Sequence, residues 1–204
     1  GPAVSSRGKE EPMASFPIRR MRRRRRNPAI RDFLAESHLT RHDLVQPLFV
    51  CDGVGIDRPI DSLAGQNHHS TDRIGDRALE VEEAGVPAVL LFGVPDQKDS
   101  RGSSSVDPAG VIPRAIREIR QRAPDLLIIA DVCLCEFTDH GHCGIITDTH
   151  EEGYQVDNDA TLEVLAQQAT VFAEAGCDIV APSAMADGQV GAIRTPSMGQ
   201  DMTR

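Results

Sequence analysis

Three cysteines fall within eleven residues, at positions 133, 135 and 143, in the stretch DVCLCEFTDHGHCG spanning 131–144. Thiolates are soft ligands that suit Zn2+ in tetrahedral geometry. Side chains alternate along a strand, so Asp131, Cys133 and Cys135 are expected on one side of it. A turn through residues 138–142 would then return Cys143 to the same point. Three protein ligands leave a fourth position for water or substrate, which is the pattern of a catalytic zinc. His140 and His142 lie in the turn, and either one as a fourth ligand would close the site. An odd total of five cysteines, three of them clustered, argues for metal ligation over a disulfide framework. Cys51 and Cys177 read as ordinary buried thiols.

Such a cluster needs a rigid frame, and the pattern around it supplies one. Four apolar runs of strand length lie at residues 44–51, 88–94, 126–134 and 178–183. Near-continuous apolar character implies burial on both faces, as in a parallel sheet beneath helices. Helical patterns lie between the runs, at 71–84, 108–123 and 159–175. The second places Ile112, Ala115, Ile116 and Ile119 on one stripe, with regular helix expected from near Pro113. The third aligns Leu162, Leu165, Ala169 and Phe172 and closes at Gly176. A short helix is expected after Asn27, with Pro28 in its first turn. The order strand–helix–strand means an α/β fold with right-handed crossovers, either an open doubly wound sheet or part of a (β/α)8 barrel.

The charge is unevenly spread. Residues 1–26 carry a net +7, so the total of −9 leaves −16 on the rest. A basic run over residues 19–26 fits nucleic acid, an acidic neighbouring copy or plain solvent. No aromatic stacking platform accompanies it, which weighs against nucleic acid. No apolar run approaches the length of a membrane span, and the amino terminus has no signal-peptide core. A cytoplasmic protein with reduced thiols is the resulting expectation.

Beyond the metal-like stretch, several segments together are similar to the porphobilinogen synthase (δ-aminolevulinate dehydratase) family. DVCLCEFTDHGHCG resembles its zinc signature, FPIRRMRRRRRNPAIRDF its amino-terminal arm and DLVQPLFV its first barrel strand. PAVLLFGVPDQKDSRGS, VDNDATLEVLA and AGCDIVAPSAMADGQVGAIR match in the same order. The resemblance runs from about Ser15 to Arg194 and implies the amino-terminal half of a (β/α)8 TIM barrel, about four β/α units, preceded by an extended arm. It implies a lyase that condenses two 5-aminolevulinate molecules into porphobilinogen for tetrapyrrole and heme synthesis. It also implies homo-octamers built through the arm, with no nucleic-acid or membrane partner. The zinc thiolates fall on Cys133, Cys135 and Cys143, and catalytic positions on Asp131 and Ser183. Full-length members also leave room for Mg2+.

The expected domains are a disordered leader or cloning remnant at 1–12, a basic arm with a short helix at 13–36, the partial barrel at 37–194 and an atypical tail at 195–204. Two departures stand out. The family uses two lysines for Schiff-base chemistry on later strands, whereas this chain has only Lys9 and Lys98. Lys98, between Asp96 and Asp99 in a polar loop, reads as a solvated lysine, so the chain alone is expected to be inactive. After GAIR the sequence reads TPSMGQDMTR, where Pro196 and Gly199 are expected to break the helix, as in a premature end. The segments SLAGQNHHS and IITDTHEEGYQ differ from many relatives and are expected in loops. A non-catalytic zinc-binding half-barrel that acts by association is the competing expectation.

Overall fold

A computed structural model describes residues 17, 20–149 and 153–197. The chain divides into two units, Gly1–Leu39 and Thr40–Arg204. In the first, a 3-10 turn at Arg22–Arg25 precedes helix α1, Pro28–Phe33. Asn27 caps α1 by accepting from the Ile30 N–H at 2.9 Å, and Pro28 occupies the first turn, where its missing N–H costs nothing.

The second unit opens with a reciprocal cap, in which the Thr40 N–H donates to Asp43 at 2.7 Å and Thr40 accepts from the His42 N–H. Its strands and helices then alternate. They are β1 Val45–Cys51, β2 Asp57–Pro59, β3 Asn67–Ser70, α2 Thr71–Glu83, β4 Ala88–Val94, α3 Val111–Arg122 and β5 Leu127–Val132. These are followed by β6 Ile145–Thr149, β7 Gly153–Asp157, α4 Asn158–Ala175, β8 Ile179–Pro182 and α5 Gln189–Ser197.

Strand order and the placement of the helices together decide between the two fold classes. The sheet runs β2-β3-β1-β4-β5-β8, so β1, β4, β5 and β8 are parallel neighbours in chain order. A doubly wound sheet carries helices on both faces; here the short β3 lies parallel to β1 on its far side, but α2, α3 and α4 pack side by side against one face only. Successive neighbours, each joined through a helix, are the winding of a (β/α)8 barrel, here over four β/α units.

The outer face of the sheet buries Leu48, Val50, Val89, Leu91, Ile128, Ala130 and Val132. Helix α2 covers them with Ile74, Ala78 and Val81, α3 with Ile112, Ala115, Ile116 and Ile119, and α4 with Leu165, Ala169 and Phe172. The opposite face carries Phe49 stacked on Phe92, with ring centroids 5.3 Å apart. In a closed barrel this face is the packed interior.

Several sequence-based expectations need correction. SLAGQNHHS is not all loop: its last four residues form β3, which pairs with β1. IITDTHEEGYQ is not a loop either, since β6 and β7 make an antiparallel hairpin through it. The strand expected at 126–134 stops at Val132, because Leu134 opens a turn that accepts from the N–H groups of Phe137 and Thr138, both at 2.9 Å. Regular helix in α3 begins at Val111, before Pro113, which sits in the first turn where a proline is tolerated. Helix α5 crosses the boundary expected at Arg194 and ends at Ser197, one residue after Pro196. The expected leader at 1–12 and most of the tail, from residue 198 onward, lie outside the described residues.

Candidate metal centre at the carboxy end of the sheet

The site grows from the end of β5. Asp131 is the fifth residue of that strand and is 8% exposed. Burial raises its carboxyl above the usual range, partly offset by a hydrogen bond from the Ser183 side chain, just past the end of β8. The two catalytic positions carried over by resemblance therefore meet directly across adjacent strands.

Cys133 follows the last residue of β5. The Sγ atoms of Cys133, Cys135 and Cys143 all lie within 4.8 Å of one another, and Cys133 and Cys135 are 3.4 Å apart. Three sulfurs around one zinc at tetrahedral angles stand about 3.8 Å apart, so this spacing fits one ion with a position to spare. The convergence does not arise from strand alternation, as the sequence suggested. Cys135 lies in the turn that begins at Leu134, and the turn aims its thiol back at Cys133. Burial raises the thiol pKa values of Cys133 and Cys135, so the cluster calls for a cation to draw off its protons.

Among the described residues only the three cysteines form such a group. His140 is not a ligand: its Nδ1 accepts from the His142 N–H at 3.1 Å, and its Nε2 faces the Ser100 carbonyl at 3.2 Å. The ring ties the thiol loop to the loop after β4 and has no nitrogen left for a metal. The Asp139 N–H, donating to the Asp99 carbonyl at 3.1 Å, adds to the same seam.

Helix α4 supports the loop from below with two polar residues on its buried stripe. Gln168, fully buried, donates through Nε2 to the Cys133 carbonyl at 3.1 Å. Thr161 accepts from the Ile145 N–H at 2.9 Å and donates to the Asp157 carbonyl. Gly144 lets this approach happen, because a Cβ there would lie 2.6 Å from Thr161 Oγ1.

Sequence reasoning missed Glu136. It accepts from the Gly93 N–H at 2.7 Å, and burial, reinforced by Asp131, pushes its carboxyl pKa up to about 8 against the opposing pull of that bond and of Lys98. The available signal was a lone charge inside an otherwise apolar and cysteine-rich run. Gln168 and Thr161 had a signal too, as polar residues interrupting the spacing of an apolar helix face. Lys98 is exposed in the loop beyond β4, Cys51 is buried, and Cys177 is half-buried. Burial and the adjacent Asp178 push the Cys177 thiol up to about 11.

A mostly parallel sheet with its helices on one face and a three-thiol pocket at its carboxy end defines a metal-binding barrel protein of the TIM class. The family model described as Delta-aminolevulinic acid dehydratase matches residues 18–203, and the chain belongs to that family. It is 44% identical to the delta-aminolevulinic acid dehydratase of Methanothermus sociabilis, over 88% of this chain and 54% of that protein. The Streptomyces coelicolor protein of the same name is 45% identical, again over 88% of this chain and 54% of that protein. A crystal structure of the Toxoplasma gondii enzyme (porphobilinogen synthase) in complex with the reaction product porphobilinogen superposes with a TM-score of 0.78 at 37% identity. That superposition covers 88% of this chain and 51% of the other. The chain thus spans about half the length of these relatives. No helix among the described residues is long and apolar enough to cross a membrane.

Proposed function

We propose that this chain forms the zinc-binding half of an enzyme that condenses two 5-aminolevulinate molecules into porphobilinogen, releasing two waters. The observation that carries this reading is the convergence of Cys133, Cys135 and Cys143 beside Asp131, within a member of this family. Three sulfurs favour zinc over harder cations, and the fourth position suits a water or a substrate atom. When bound, zinc supplies Lewis-acid polarisation of a substrate amine or carbonyl oxygen. Asp131 is the group placed to take up and return protons there, since burial holds its carboxyl above the usual range. Ser183, just past the end of β8, offsets part of that rise through its side chain. A reduced thiol cluster of this kind fits a cytoplasmic setting.

The amine chemistry belongs to a different part of the barrel. Only Lys9 and Lys98 occur in the 204 residues, and Lys98 is exposed in the loop after β4. The inner sheet face also needs a complement, because Val45, Leu127 and Ile179 on it are 46%, 44% and 46% exposed. Four further β/α units, in the same polypeptide or a separate one, would bury that face. The half-exposed face also favours a second reading, in which the chain associates through it without catalysis. The basic arm is proposed to contact further copies within a homo-oligomer, the family's octamer.

The deciding experiment mixes the 204-residue chain with the carboxy-terminal half of the Streptomyces coelicolor relative, zinc and 5-aminolevulinate. Porphobilinogen should form only when all are present, and borohydride should trap substrate on the added half alone. Formation by the 204-residue chain unaided, or an adduct on Lys98, would overturn the reading. A stable complex without porphobilinogen would leave the associating reading in its place.

A further inference from the structure

The turn that carries Cys135 is seated on one residue of a neighbouring strand, Gly93, in two independent ways. The Gly93 N–H donates to Glu136 Oε2 at 2.7 Å. Its bare Cα faces the Phe137 ring, since a Cβ built on Gly93 would lie 2.9 Å from Phe137 Cζ and 3.1 Å from Ile112 Cγ1. Glu136 and Phe137 directly follow Cys135, so the thiol's position is set by how these two residues dock on the end of β4. Phe137 contributes shape, being 1% exposed, but a ring against a flat backbone can slide. The hydrogen bond is the directional element of the seat.

We propose that Glu136 is a positioning residue for the thiol cluster: by accepting from the Gly93 N–H, it fixes the turn that aims Cys135 at Cys133 and Cys143. Part of this rests on the metal-binding reading above, and part concerns the metal-free chain. The role requires an acceptor oxygen at the end of a two-methylene side chain. It does not require a charge, so glutamine should serve and aspartate, one methylene shorter, should not.

The test compares the 204-residue chain with its Glu136→Gln and Glu136→Asp variants. The first readout is hydrogen exchange of the Gly93 amide in the metal-free chain. Protection should persist in wild type and Glu136→Gln and fall at least about tenfold in Glu136→Asp. The second is zinc affinity by chelator competition, together with the thiolate-to-metal absorption band of the Co2+-loaded chain. Zinc affinity should stay within about threefold of wild type in Glu136→Gln and drop about 10–100-fold in Glu136→Asp, the range typical of groups that orient metal ligands. Equal loss in both variants, equal retention in both, or failure of Glu136→Gln to fold would each overturn the proposal. If wild type took up no zinc, the metal reading would fall, while Gly93 exchange would still decide whether Glu136 holds the turn.

Discussion

Cys133 Sγ and Cys135 Sγ stand 3.4 Å apart although a turn, not a strand, separates them. A buried and a half-buried thiol at that distance, with a third within 4.8 Å, bind a shared cation far better than any one alone. Structural zinc sites release about 10–16 kcal/mol in total, so each thiolate carries several kcal/mol. Cys143→Ser should therefore weaken zinc binding by on the order of 100-fold or more. Cys177→Ser, which touches no other thiol, should leave it unchanged. Competition against a chromophoric chelator measures both, and equal affinities for the two variants would place the metal elsewhere.

Gly93 is the one position in β4 that no side chain can replace cheaply. A Cβ would press on the Phe137 ring and on Ile112 together, and both sit in a packed core. Overpacking of this kind costs about 1–3 kcal/mol. Gly93→Ala should lower the urea midpoint accordingly, and Gly93→Ala with Phe137→Leu should recover part of the loss. An unchanged midpoint in the single variant would mean the loop moves aside freely.

What the sequence revealed and what it hid divide along physical lines. β1 and β4 were legible because they are buried on one face and lie in the barrel interior on the other, so 45–51 and 88–94 are almost wholly apolar. The stripe of α3 was legible because Ile112, Ala115, Ile116 and Ile119 repeat at helical spacing over a core. β3, with the sequence NHHS, was hidden because a short polar strand owes its place to pairing with β1 rather than to its own side chains. The hairpin of β6 and β7 was hidden likewise: half its residues are polar, and its register is set by a partner strand. The metal ligands were legible as residue types, but their convergence was not. It depends on a turn after Val132 and on Gln168, Glu136 and Gly93, which are distant in sequence from at least one of the groups they hold.

Asp178 and Arg120 form a junction that joins three elements. Asp178 Oδ2 accepts from the Arg120 guanidinium at 2.6 Å and from the Ile128 N–H at 2.7 Å. Arg120 also donates to the carbonyls of Pro124, Leu126 and Gly176. Each side chain is about one-third exposed, so solvent screens the ion pair and the backbone bonds carry most of the effect. Asp178→Ala and Arg120→Ala should each cost about 1–3 kcal/mol, and a double-mutant cycle should give a coupling of about 1 kcal/mol. A coupling of zero would mean the two act separately on the backbone.

His69 supplies a pH dependence whose sign can be worked out. Its side chain is 8% exposed, and burial lowers its pKa below the ordinary 6.5 even though Asp57, 3.6 Å away, pulls the other way. Arg77 and His68 add to the lowering, and Glu80 opposes it. The unfolded chain thus binds the His69 proton more readily than the folded one. The stability His69 confers is present above its ordinary value and is lost as pH falls through 6.5 toward the lower folded value. Glu136 tilts wild-type stability the opposite way across neutral pH, because its carboxyl is raised to about 8. The informative quantity is therefore the difference between wild type and His69→Gln, in which the Glu136 contribution cancels. Urea unfolding of the metal-free chains between about pH 5 and 7 should show wild type losing ground to His69→Gln as the pH is lowered. A difference that stays flat across that range would show that His69 titrates alike in both states, and that its burial is relieved by the Asp57 carboxylate.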